Sequence, residues 1–277
     1  MSSLSPNPIW PYCLPPDLPS HERERIRLRA DELEAASQYG WGHTIDFGIF
    51  AKQGLLGDSY LHIAEMLDRW EWWPKNLTGM RVADVGCFTG GLSMVMAARN
   101  PANVFAVDEV PEHLRQCEFL CETFGVSTVS SHETSLYALP DHIKPDSLDL
   151  IVLSGVLYHL SDMLLGLLVL RSLLKPKGVL LIETAAVEDD ERSYADFGRF
   201  YAGMWWRPTG RCIKDMCGFM GFDEPEVKFY EEQRCLMRTI RTEDSDIPFK
   251  RGINYRFDDI RDRKPRSLDP GIMAPAR

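Results

Sequence analysis

The 277-residue chain is 44% hydrophobic and 26% charged, which is enough apolar material for one large α/β domain and too much for a disordered polymer. Its 31 basic and 41 acidic side chains leave a net charge of −10, the opposite of what a protein built to hold a long phosphate backbone would carry. No apolar run approaches the ~20 residues of a membrane helix, and the Ser- and Pro-rich start lacks the basic and apolar regions of a secretory signal. Seven scattered cysteines argue against a disulfide framework, so a cytoplasmic setting is expected.

Residues 1–19 read as an extended, Pro-rich arm. Ser20 is placed as the cap of a helix to about Ser37, with Ile26, Leu28 and Leu33 on its apolar side. Gly40-Trp41-Gly42-His43 ends that helix, and in the loop that this opens Trp41 and His43 are candidates for a lid over the cofactor. A second helix is expected from Asp58 to Trp70, with Ile63, Met66 and Leu67 on one face. From Arg81 the rhythm becomes strand, turn and helix. Strands are expected at Val82–Val85, Val104–Val107, Val126–Ser131, Leu148–Leu153 and Val179–Ile182. Helices fall between them at Leu92–Arg99, Glu112–Phe124 and Met163–Leu174. Such alternation implies a parallel sheet covered on both faces. A helix from Thr209 to Phe219 follows, then an antiparallel hairpin at Pro225–Tyr230 and Cys235–Ile240. This gives a division into an N-terminal arm with helices (1–79), a cofactor-binding domain (80–242) and a tail (243–277). The basic residues of that tail alternate with acidic ones and read as a solvated surface.

The turn Asp84-Val85-Gly86-Cys87-Phe88-Thr89-Gly90-Gly91 joins the first strand of this series to a helix. Glycines there let the backbone approach a ligand, although Phe88 fills the middle glycine position of the usual pattern. Asp108 closes the next strand, where a carboxylate can accept from both hydroxyls of a ribose. A nucleoside ligand follows. A nicotinamide dinucleotide is one candidate, and the C-terminal hairpin favours S-adenosylmethionine.

Val82-Ala83-Asp84-Val85-Gly86, Val107-Asp108, Leu148-Asp149-Leu150-Ile151 and Leu173-Leu174-Lys175-Pro176-Lys177-Gly178 resemble a class I S-adenosylmethionine-dependent methyltransferase. Ser154-Gly155-Val156-Leu157-Tyr158-His159, Ser135-Leu136-Tyr137-Ala138-Leu139 and Ile182-Glu183-Thr184 narrow the resemblance. They match the branch that contains the bacterial tRNA wobble-uridine carboxymethyltransferase and related small-molecule methyltransferases. The resemblance covers about residues 40–242. It implies an α/β, Rossmann-like class I methyltransferase fold: a mostly parallel seven-stranded sheet with a C-terminal antiparallel hairpin and N-terminal helical decoration. By the same resemblance Asp84, Gly86 and Gly90 lie along the methionine and ribose of the cofactor. Asp108 holds the ribose hydroxyls, Ser135 and Leu136 flank the adenine, and Ser154 and Gly155 sit near the sulfonium. Tyr158 matches a tyrosine that helps hold a carboxylated cofactor in the tRNA enzyme, and Arg234 falls near an arginine with the same task. That enzyme has a larger, basic N-terminal region, for which this chain has little room.

Methyl transfer needs an aligned acceptor, exclusion of water and, for many acceptors, a proton acceptor. His159 and Glu183 are candidates for the last task, with Tyr158 beside them. Arg199, Tyr201, Trp205, Trp206 and Arg207 crowd the segment after the fifth strand, where aromatic walls and an arginine suit an apolar or planar acceptor with an anionic group. No HExxH or paired CxxC indicates a metal. The expected activity is methyl transfer to a small organic acceptor. The rivals are a tRNA-modifying enzyme and a non-catalytic nucleoside-binding scaffold. Oligomeric state and the identity of the acceptor atom are not legible.

Overall fold

The computed structural model describes residues 9–201 and 203–243; the expected tail lies outside them apart from Glu243, as do residues 1–8 of the arm. The strands Arg81–Val85, Asn103–Asp108, Leu148–Ser154 and Leu174–Ala185 are largely buried on both faces, so they are continuous apolar runs rather than alternating ones, whereas Val129–Glu133 at the sheet edge is only half-buried. Seven strands form one sheet in the order β10-β11-β7-β6-β3-β4-β5. They are β3 (Arg81–Val85), β4 (Asn103–Asp108), β5 (Val129–Glu133), β6 (Leu148–Ser154), β7 (Leu174–Ala185), β10 (Glu226–Glu231) and β11 (Arg234–Ile240). The five from β3 to β7 run parallel, and β11 lies antiparallel between β7 and β10. The strand order, not the strand direction, reverses between β3 and β6: the chain proceeds from β3 through β4 and β5 to one edge, then returns to place β6 on the other side of β3. A crevice outside the carboxyl ends of those strands follows from that reversal, and it is where open α/β sheets take their ligands.

The helices are α1 (Ser20–Ala36), α2 (Ser59–Arg69), α3 (Gly91–Ala97), α4 (Pro111–Phe124), α5 (Met163–Leu173) and α6 (Gly210–Phe219). Asp162 caps α5 by accepting from the Leu165 N–H, and Thr209 caps α6 by accepting from the Cys212 N–H, both at 3.0 Å. Side chains alternate across the sheet. Val82, Leu150 and Val152 face α2, α3 and α4, whereas Ala83, Val85, Ile151 and Leu153 face α5 and α6.

Several expectations shift for physical reasons. Pro19, not Ser20, precedes α1 as its cap, and Leu28 is 49% exposed, because the buried stripe runs through Ala30 and Leu33. The third parallel strand begins at Val129, since the Val126 N–H is taken by the Cys121 carbonyl as α4 ends on left-handed Gly125. Described residues of the arm pack rather than dangle. Trp10 is 5% exposed and donates its indole N–H to the Asp46 carbonyl at 2.9 Å, and Tyr12 donates to the Met94 carbonyl. Trp41 is 1% exposed against Phe119, a core side chain rather than part of a lid. These N-terminal side chains share one hydrophobic cluster with Val82 and Val104, so packing is continuous across residue 79.

Two short hairpins stand beside the expected elements. One is β1 (Ile45–Asp46) with β2 (Ala51–Lys52). The other, β8 (Ala195–Tyr201) with β9 (Met204–Pro208), stands outside the main sheet and leans over its carboxyl edge. The Trp206 indole N–H donates to the Ser161 carbonyl at 3.0 Å and fixes that hairpin beside the turn Leu157–His159. Among the described residues no helix is long and apolar enough to cross a membrane.

Candidate active site

A cavity of about 950 Å³ opens over the carboxyl ends of β3, β4, β5, β6 and β7. Its floor is the turn after β3. Gly86 has φ +75°, and a Cβ there would lie 2.2 Å from the Val156 side chain, so only a bare backbone fits. Gly90, at φ +81°, does not line the cavity. A Cβ on it would lie 2.4 Å from the Cys117 sulfur, so its role is to let the turn pack on α4. Phe88 adopts φ +52°, the conformation a glycine would take at that middle position. Its N–H donates to Asp108 Oδ2 at 2.9 Å, which helps hold the strained residue.

Asp84, at the end of β3, is 2% exposed and receives the Ser93 hydroxyl at 2.6 Å. Burial pushes its pKa up to about 6, against the pull of that hydrogen bond. Asp108 ends β4 and is already engaged. Its Oδ1 accepts the Val110 N–H at 2.9 Å and pairs with His113 Nδ1 at 3.2 Å. Among the described residues, His113 Nε2 is buried without a hydrogen-bond partner. Ser135 and Leu136 line the cavity at the end of β5, and Ser154 and Gly155 line it at the end of β6.

At the β6–β7 side, Glu183 is 2% exposed and takes three donors. Arg234 grips it in bidentate fashion, Nε to Oε1 at 2.7 Å and Nη2 to Oε2 at 2.6 Å, and the Tyr230 hydroxyl donates at 2.7 Å. Burial works against the Arg234 charge, but Glu183 outweighs it and holds the guanidinium protonated. Burial and the Glu183 charge together push the Tyr230 phenol up. The guanidinium lies 5.2 Å over the Tyr158 ring, whose centroid is 4.1 Å from that of the His159 ring with the two planes tilted by 46°. His159 Nδ1 meets the Gly203 carbonyl at 2.8 Å. A carbonyl only accepts, so Nδ1 carries the proton and Nε2 keeps its lone pair. Although His159 keeps solvent access, desolvation by the groups around it lowers its pKa below 6.5, the Gly203 carbonyl opposes that, and Arg234 adds to it.

The cavity thus gathers Tyr158, His159, Glu183, Trp205 and Arg234 with the residues of the β3, β4 and β5 ends. Arg199 and Tyr201 are exposed on the β8–β9 hairpin, Tyr201 by 80%, and Trp206 packs half-buried behind it; none of the three lines the cavity. Lining side chains that sequence reasoning did not single out include Tyr60, His113 and Tyr230. His113 was open to detection, because it sits on the first turn of α4 facing the end of β4. The other two come from elements far away in sequence and carry no local motif. Among the described residues no group of three or more His, Cys, Asp or Glu side chains is placed to hold a metal ion.

A family model described as a methyltransferase domain matches residues 76–229. The chain is a class I S-adenosylmethionine-dependent methyltransferase. The methyltransferase is 29% identical over 184 residues to the tRNA U34 carboxymethyltransferase of Desulfotalea psychrophila, covering 65% of this chain and 57% of that one. It is 30% identical to the same enzyme from Helicobacter pylori, over 55% and 61% of the two chains. It therefore spans about three fifths of these relatives' length. Among solved structures, EvdMO1 superposes with a TM-score of 0.56 at 16% identity, over 79% of this chain and 47% of that one. The YcgJ protein of Bacillus subtilis gives 0.54 at 14%, over 67% of this chain and 100% of that one. At such identity the likeness concerns the fold, and it matches the methyltransferase sheet described above.

Proposed function

We propose that the cavity binds S-adenosylmethionine across the β3–β6 switch and methylates a small organic acceptor held between Tyr158, Trp205 and Tyr230. The site suits that cofactor. Bare backbone at Gly86, carboxylates at Asp84 and Asp108, the unpartnered His113 Nε2 and the apolar Leu136 match an amino-acid group, a ribose and an adenine. The cofactor, when bound, supplies an electrophilic methyl on a sulfonium. The protein must then seat the acceptor, keep water out and receive a proton.

His159 is the proton acceptor in this reading. Its Nδ1–H is tied to Gly203, its Nε2 lone pair is free, and its lowered pKa keeps it neutral at pH 7. Glu183 serves otherwise. A carboxylate already holding a guanidinium and a phenol is a poor base, so it positions Arg234 and Tyr230 as a wall of the acceptor pocket. The observation that carries the proposal is that one cavity brings the glycine turn after β3 and the free nitrogen of His159 together.

Arg234 beside Tyr158 favours a second reading, carboxymethyl or methyl transfer to tRNA, as in the named relatives. The net charge of −10 weighs against it. Methyl-labelled cofactor incubated with a desalted, fractionated cell extract separates the two. Label in the small-molecule pool is expected, and label in tRNA would replace the first reading by the second.

A further inference from the structure

The N-terminal loop contributes a polar group to the cavity that the reaction described above leaves without a task. His43 is 8% exposed, lines the cavity, and packs against Tyr60 and Phe88. It also sits on the first residue of α3, where a Cβ on Gly91 would come within 2.9 Å of its Nδ1. The Thr89 side chain, itself wholly buried, fixes the ring. Thr89 Oγ1 accepts the His43 backbone N–H at 3.0 Å and lies 2.9 Å from His43 Nδ1. A buried hydroxyl has one hydrogen to place, and among the described residues His43 Nδ1 is the acceptor it meets. Thr89 therefore donates to Nδ1. The ring proton then resides on Nε2, the nitrogen left for a ligand. Burial, with the nearby His113, drives the pKa to about 3, so the ring stays a neutral donor.

We infer that His43 Nε2–H holds the carboxylate of the cofactor's amino-acid group. This rests on the reading of the cavity as the cofactor site. The ligand has one part that demands both a donor and an acceptor close together, its amino-acid zwitterion; the adenosine part carries no formal charge. Asp84, bound to Ser93 on α3, and His43, seated on Thr89 and Gly91 at the start of the same helix, supply those two opposite groups. The ammonium goes to the Asp84 carboxylate and the carboxylate to the His43 N–H. A neutral, pre-oriented donor suits a site that already contains the buried Asp84 and Asp108, because it binds an anion without needing a buried proton of its own.

Two nucleosides that differ at this end make the test. S-adenosylhomocysteine carries the amino-acid group, and 5′-methylthioadenosine lacks it. Equilibrium dialysis would measure both against the wild type, His43→Leu and His43→Gln, with a cooperative thermal melt as the check that each variant folds. His43→Leu should weaken S-adenosylhomocysteine by about 10- to 100-fold, the loss of a hydrogen bond to a charged group. It should leave 5′-methylthioadenosine within about twofold, and His43→Gln, whose amide N–H reaches a similar place, should recover most of the loss. Equal weakening of both ligands would make His43 a mere wall and overturn the inference, as would no weakening of either. A wild type that binds neither nucleoside overturns the cofactor cavity itself, and that result is distinct because it appears before any substitution.

Discussion

The acceptor side of the cavity separates two residues that looked alike as candidates for a base. His159 has a free Nε2 and a lowered pKa, whereas Glu183 spends its carboxylate on Arg234 and Tyr230. His159→Ala should accordingly lower kcat by about 10²- to 10⁴-fold while S-adenosylhomocysteine affinity stays within about twofold. The pH profile has a defined sign. A base must be unprotonated, so kcat falls as pH drops through the His159 pKa, and the acidic limb should lie below 6.5 and vanish in the alanine variant. Glu183→Gln tests the other role. Breaking one side of a buried ion pair leaves Arg234 uncompensated and should cost about 3 kcal/mol of stability in urea unfolding, with the acidic limb of kcat unchanged. Loss of that limb in Glu183→Gln would make Glu183 the base.

Elements, rather than single residues, decide how His159 is held. The β8–β9 hairpin brings the Gly203 carbonyl to Nδ1, and the hairpin is anchored by the Trp206 indole on Ser161. Trp206→Phe removes that anchor while keeping most of the apolar bulk. It should lower kcat more than it lowers cofactor affinity, and single-turnover kinetics with dialysis would show the split; equal effects would detach the hairpin from the chemistry. The turn after β3 behaves as one element too. Gly86→Ala forces a side chain onto Val156 from a left-handed backbone, so it should abolish measurable nucleoside binding and lower the melting temperature. The N-terminal segment is likewise structural, since Trp10→Ala empties a buried indole site and should destabilise the protein by about 3 kcal/mol in chemical unfolding.

On the scale of the whole molecule, buried titratable groups write the pH dependence of stability. His43 has a folded pKa of about 3 against 6.5 for the free side chain. Between those values the unfolded chain binds the extra proton, so this group adds stability that is present above 6.5 and is lost as pH falls toward 3. Asp84 has the opposite sign: its folded pKa of about 6 exceeds 3.8, so its contribution weakens as pH rises through that window. Urea unfolding of the wild type and His43→Leu at several pH values should show the difference between them shrinking with acidification, by up to about 1.4 kcal/mol per pH unit. A pH-independent difference would mean that His43 is not held neutral.

Much of this was legible in the chain. Strand-forming apolar runs recur at Val82–Val85, Val104–Val107, Leu148–Leu153 and Val179–Ile182 because both faces of those strands are buried, and the turn Asp84–Gly91 with Asp108 marks the floor of the candidate site through local backbone demands. The same local rules placed Tyr158, His159 and Glu183 at strand ends. Tertiary structure alone decided what each side chain meets. Arg234 is 51 residues from Glu183 and Thr89 is 46 from His43, so neither pairing leaves a spacing to read. Trp41 and Trp205 have the same composition-level meaning, yet one is core and the other lines the cavity. Periodicity records which face of an element is buried; the partner on that face, and hence the protonation state and chemical use of a histidine or a glutamate, is set by contacts between elements distant in the sequence.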